Sequence, residues 1–240
     1  MIVEFTGITS SGKTTISLMV IEKLKKAGVD LYCVHSKEFN IAGHMATLIQ
    51  KDTLQNLYMD LVSLWYLGFN LKTYSRLLSF AYGVIRADKD VAFHKMNRFR
   101  SVCRKVGINH LVRQRGRSGL VTIIDEGIIH SIHNLFVQPY AVPDKSLIKE
   151  YSEMIQLPDI IVYVKPPKEL LIERAFRRKD ITRRVNRDSL IDFIKNAQEV
   201  FDIFMEIGII KRRSFIVIND GGDIHKLSDE IVKHISGFLK

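Results

Sequence analysis

The chain has 240 residues and a mass of 27.6 kDa, with 46% hydrophobic and 26% charged residues. That composition is globular and excludes collagen-like, disordered and disulfide-scaffold classes, and the length suits one α/β domain with an inserted subdomain. The net charge of +10 comes from two segments: 86–117 carries ten basic residues against Asp88 and Asp90, or +8, and 165–187 carries nine against Glu169, Glu173 and Asp180, or +6, leaving about −4 for the remainder.

Ile2 to Thr6 is a short apolar run ending at Gly7 and reads as a buried strand. From Thr14 the pattern turns helical, with Ile16, Val20, Leu24 and Ala27 on one face and Gly28 as a stop signal. Val29 to Val34 is the next strand, completing a right-handed βαβ unit. Residues 41–117 contain no proline and read as a helical insertion. Leu57, Leu61, Leu64, Trp65 and Tyr66 begin its apolar part, and core or homodimer packing is the expectation for Trp65 and Tyr66. Ala92, Met96, Phe99, Cys103 and Val106 continue it with basic residues on the other faces. Phe93 and Phe99 are expected in the core. Leu120 to Ile124, Ile160 to Val164 and Phe215 to Ile218 are three further strands. Between them lie a helix from Pro167 to Lys179 and one marked by Leu190, Ile194, Ala197, Phe201 and Phe204. A last helix runs through Phe238. Strands alternating with helices predict a parallel sheet covered on both faces, in one domain over 1–240.

Gly7-Ile8-Thr9-Ser10-Ser11-Gly12-Lys13-Thr14 matches the phosphate-loop pattern at every fixed position, with a strand before it and a helix after. The loop amides and the helix dipole favour phosphate oxygens. Gly7, Thr9, Ser10, Ser11, Gly12, Lys13, Thr14 and Thr15 are therefore the expected nucleotide-binding set. Lys13 reaches the β- and γ-phosphates, and the Thr14 hydroxyl ligates Mg²⁺. Asp125 closes an apolar strand and is the second Mg²⁺ ligand. Glu126 reads either as a general base or as an exposed turn carboxylate. The arginines of ERAFRRKDITRRVNRD supply planar donors for phosphoryl transfer, against the alternative of a solvated basic helix. His130 and His133, three apart, lack further metal-type ligands and read as pocket or core residues. No Asn-Lys-x-Asp signature is present, which favours ATP over GTP.

FTGITSSGKTT, the strand ending in DEG, PDIIVYVKPPKELLIERAFRRKD, IDFIKNAQEVFDIF and FIVINDGGDIHKLSDEIVKHI together resemble P-loop nucleoside and nucleotide kinases, thymidylate kinase in particular. The resemblance covers residues 1–35 and 120–240. It implies a five-stranded parallel sheet of order 2-3-1-4-5 and an arginine-rich lid over 174–187. It places Arg174 and Arg178 near the ATP phosphates, and Asn219-Asp220-Gly221 beside the adenine. Two departures stand on the acceptor side. Glu126 occupies the place of an acceptor-binding arginine, and His35 to Phe39 lacks the family's Glu-Pro-Gly type sequence. The expected activity is transfer of the γ-phosphoryl group of MgATP to an acceptor other than thymidine monophosphate. Lys13, Asp125, Glu126, Arg178 and Arg183 form the expected catalytic set. The alternative is a P-loop ATPase.

Residues 86–117 pair an apolar stripe with basic faces. They read as a solvated helix face or as a surface for nucleic acid, an anionic membrane or an anionic acceptor. The N-terminus has no basic stretch followed by an apolar one, and the longest apolar run, Leu61 to Leu71, is too short to span a bilayer. Cys33 and Cys103 lie in no metal-type spacing and read as reduced thiols. A cytoplasmic protein is expected.

Overall fold

The computed structural model describes residues 1–34, 52–115, 119–138, 143–178 and 187–239. Five strands, β1 (Ile2–Thr6), β2 (Leu31–Val34), β3 (Val121–Asp125), β4 (Ile160–Lys165) and β5 (Ser214–Ile218), form one sheet of order β2-β3-β1-β4-β5. Every neighbouring pair is parallel, so the implied order holds. The third strand runs one residue further than expected, and Asp125 pairs with Phe5 inside the ladder. β1 is central: the chain leaves it for β2 and β3 on one side and later for β4 and β5 on the other. Such a switch point opens a ligand crevice at the carboxyl ends of the strands.

Alternation along the strands splits the core. Val3, Phe5, Ile160, Val162 and Val164 face α1 (Lys13–Lys26) and the C-terminal helix Ile224–Gly237. Ile161 and Tyr163 face the opposite layer. There the described residues 52–115 form α2 (Asp52–Phe69), α3 (Leu71–Ala87) and α4 (Ala92–Arg115). They are followed by α5 (Ser131–Phe136), α6 (Lys145–Met154), α7 (Lys168–Arg177), α8 (Arg187–Met205) and α9 (Gly208–Lys211); the C-terminal helix is α10.

The apolar residues of α2 divide between the core and its exposed side. Its buried stripe is Met59, Asp60, Ser63 and Leu67, whereas Leu57, Leu61, Leu64 and Trp65 are exposed and Tyr66 is half-buried. The reason is close approach of α4. A Cβ on Gly107 would lie 2.8 Å from the Ser63 backbone, so only small residues fit at this crossing. In α4 the buried part of the stripe begins at Cys103, Phe99 is half-buried, and Ala92, Phe93 and Met96 are exposed. Helix α7 stops at Arg177, with Arg178 already extended (φ −86°, ψ 107°), two residues short of the expected end. Among the described residues no helix is long and apolar enough to cross a membrane. Cys103 is buried, and burial pushes its thiol up to about 11.

Candidate functional site

The loop after β1 curls at the carboxyl edge of the sheet and feeds directly into α1. Gly12 caps that helix at φ 87°, a left-handed conformation that suits glycine. A cavity of about 490 Å³ opens over it, lined by Thr9, Ser10, Gly12, Lys13, Thr14 and Glu126, with Arg174 and Arg178 from the α7 end. Among the described residues the buried hydroxyls of Ser10 and Ser11, and Nη1 of Arg174, have no hydrogen-bond partner. Orphaned donors around the start of a helix fit an oxyanion-rich ligand such as a triphosphate. The Thr14 hydroxyl donates to Asp125 Oδ2 at 3.1 Å. A hydroxyl and a carboxylate oxygen so placed are hard donors of the kind Mg²⁺ takes.

Asn219 is buried and donates Nδ2 to the Ser11 carbonyl at 2.8 Å, so it braces the loop from behind. Thr15 is exposed on the first turn of α1. Arg183, the lid segment 179–186 and residues His35 to Phe39 lie outside the described residues.

Glu126 has φ 60°, left-handed for a residue with a side chain, and such strain concentrates at functional sites. Its Oε1 stands 2.7 Å from Lys13 Nζ. Desolvation opposes ionisation of Glu126, but His130, Lys13 and Lys105 outweigh it and hold the carboxyl well below the usual range. Burial keeps His130 itself neutral near pH 7, so the close Lys13 contact is the effective cause. The turn that carries Glu126 is held from beneath by Glu4, a buried carboxyl in β1. Its Oε1 accepts the His130 backbone N–H at 3.1 Å. A Cβ on Gly127 would come within 2.7 Å of Glu4 Oε2, so glycine permits this approach. Burial pushes Glu4 up to about 7, against the backbone N–H groups of Ile129 and His130 that favour its charged form.

A second cavity of about 350 Å³ shares Thr9 and Glu126 with the first. Its walls come from β2 and β3, from Met59 of α2, from Ser101, Arg104, Lys105 and Ile108 of α4, and from His130, His133 and Asn134. The two histidine rings stack with centroids 5.3 Å apart, and burial pushes His133 down to about 4. Among the described residues no group of three His, Cys, Asp or Glu side chains could hold a metal ion.

The basic residues of 86–117 have internal partners that the local count of acids could not show. Arg104 pairs with Asp60 of α2 at 2.6 Å, and Arg100 approaches the same carboxylate at 3.6 Å. Arg98 pairs with Asp88 and donates to the carbonyls of Asn134 and Leu135. Arg113 donates to the carbonyls of Gln156 and Leu157. Arg98, Arg104 and Arg113 are thus held by partners inside the protein, although ten basic residues still exceed Asp60, Asp88 and Asp90 in charge. Sequence reading missed Glu4, Asn134 and the bracing role of Asn219, and placed Lys105 only within the basic segment 86–117. A lone carboxylate within the apolar run IVEFT was the one available signal.

No family model matches the sequence, and comparison with curated proteins finds no match. Solved structures do match. A deoxyadenosine kinase from M. mycoides, with the products dCMP and a flexible dCDP bound, is 16% identical with TM-score 0.52, covering 99% of this chain and 100% of that one. The same enzyme with dATP bound is 15% identical with TM-score 0.49, covering 98% and 100%. The chain shares the fold of the first of these structures, a five-stranded parallel sheet flanked by helices.

Proposed function

We propose that this chain transfers the γ-phosphoryl group of MgATP to a hydroxyl of a small neutral acceptor of nucleoside type. The observation that carries the reading is Glu126, in the wall between the phosphate cradle and the second cavity, with its carboxylate ionised. A carboxylate there repels a phosphorylated acceptor and suits a hydroxyl, whose proton it can accept. The fold shared with a deoxyadenosine kinase agrees with that acceptor class.

In this reading the acceptor oxygen attacks the γ-phosphorus, the bond to the β,γ-bridging oxygen breaks, and ADP leaves. The acceptor proton passes to Glu126. Lys13 turns from Glu126 to the β- and γ-phosphates, and Arg174, Arg178 and Arg183 of the lid neutralise the moving group. Thr14 and Asp125 would hold Mg²⁺, which would supply neutralisation of phosphate charge.

The test is incubation with γ-labelled ATP and a panel of nucleosides, sugars and nucleoside monophosphates. Label on a neutral hydroxyl compound is expected, with a loss of roughly a hundredfold or more in kcat for Glu126→Gln. Label on monophosphates alone, or release of phosphate alone as in an ATPase, refutes the reading.

A further inference from the structure

Lys105 differs from the other basic residues of α4. It is 9% exposed, lines the second cavity, and forms no ion pair within 4.0 Å among the described residues. An ammonium has three N–H donors. Here one goes to Asn134 Oδ1 at 2.8 Å. The same oxygen accepts from Ser101 Oγ at 3.3 Å. With two donors on Oδ1, the orientation of the Asn134 amide is fixed and its Nδ2 remains a donor. The cavity wall thus holds two adjacent donor groups, a buried ammonium and an amide, with hydrogen-bonding capacity left. Burial pushes the Lys105 amine down to about 8, with Glu126 and Glu4 favouring its charged form. Met59, Ile108, Val34 and Ile124 give the same cavity apolar surface.

We propose that Lys105 and Asn134 select the acceptor by its base, through an edge that presents two neighbouring hydrogen-bond acceptors. This rests on the nucleoside-kinase reading above. Cytosine offers O2 beside N3, and guanine offers O6 beside N7. Adenine places its amino donor beside N7, and thymine separates its two carbonyls by an N–H. Two donors match the first pair of bases and leave a mismatched group with the second. Apolar side chains on the wall suit the face of a ring, and the size falls in the range of small-molecule sites, roughly 300–1,000 Å³.

The experiment measures transfer of label from γ-labelled ATP to deoxycytidine, deoxyguanosine, deoxyadenosine and thymidine at equal subsaturating concentrations. Wild type is expected to favour deoxycytidine or deoxyguanosine by about tenfold to a hundredfold in kcat/KM. Lys105→Met, folded by circular dichroism, is expected to raise KM for the favoured nucleoside about tenfold or more and to erase the preference. Lys105→Gln, which keeps a neutral donor, should fall between. Preference for deoxyadenosine or thymidine, no preference, or an unchanged KM in Lys105→Met overturns the proposal. The wild-type comparison decides even where a variant does not fold. If none of the four takes label but another neutral hydroxyl compound does, the proposal falls and the kinase reading stands. If no hydroxyl compound takes label, both fall.

Discussion

Replacing Glu4 by Gln should change how stability depends on pH, and the sign can be worked out. The Glu4 carboxyl moves from 4.5 to about 7 on folding, because burial disfavours its charge. At about 1.4 kcal/mol per tenfold change in proton affinity, that corresponds to about 3 kcal/mol. A raised carboxyl means that the folded state binds the proton more tightly. The associated stability is complete below about pH 4.5 and is lost as pH rises through about 7. His130 and His133 act in the opposite sense. Burial lowers both, so their contribution is present above about 6.5 and lost as pH falls. Wild-type stability alone mixes these effects, whereas the difference between Glu4→Gln and wild type isolates Glu4. Urea unfolding followed by far-UV circular dichroism, from about pH 5 to about pH 8, reads it. Gln keeps an oxygen for the His130 N–H, so the variant is expected to fold. Its stability relative to wild type should rise by about 2.5 kcal/mol across that range, because an unfolded carboxyl is already mostly ionised at its lower end. Parallel curves would show that Glu4 is not a titrating buried group and would refute the reasoning.

Gly107→Ala pushes a methyl against the Ser63 backbone and should cost about 1–3 kcal/mol in urea unfolding; an unchanged midpoint would contradict the close crossing of α2 and α4. Asn219→Ala leaves the Ser11 carbonyl without its donor and should cost about 1–3 kcal/mol of stability, with weaker MgADP binding by calorimetry. Equal MgADP affinity would show that the phosphate loop holds its shape unaided.

The nucleotide half of the site was legible because it is local. Thr9 to Thr14 lie in one turn, and the strand, loop and helix that shape it are contiguous. Asp125 could be placed because its strand is apolar and short. The second cavity was not legible, because distant segments assemble it. Glu4 holds the backbone of His130, 126 residues away, and Lys105 meets Asn134 across 29 residues. Hydrophobicity alone also misled along α2. Asp60 and Ser63 are buried there because Arg104 and Gly107 of α4 face them, while leucines on the other side meet solvent. In 86–117 a count of local acids overlooked Asp60 and the backbone carbonyls, which accept most readily from arginine.

The sole tryptophan sits on that exposed side of α2: Trp65 is 66% accessible and packs edge-on against Phe69 at 4.9 Å. An indole already in water in the native state gives little change in emission when the chain unfolds. Intrinsic fluorescence is therefore a poor melting probe for this protein. It is a good probe of contact, because anything that covers α2 shifts the emission to the blue and shields it from iodide. A titration that leaves far-UV circular dichroism constant while moving that emission reports occupancy of the α2 surface, with no label attached.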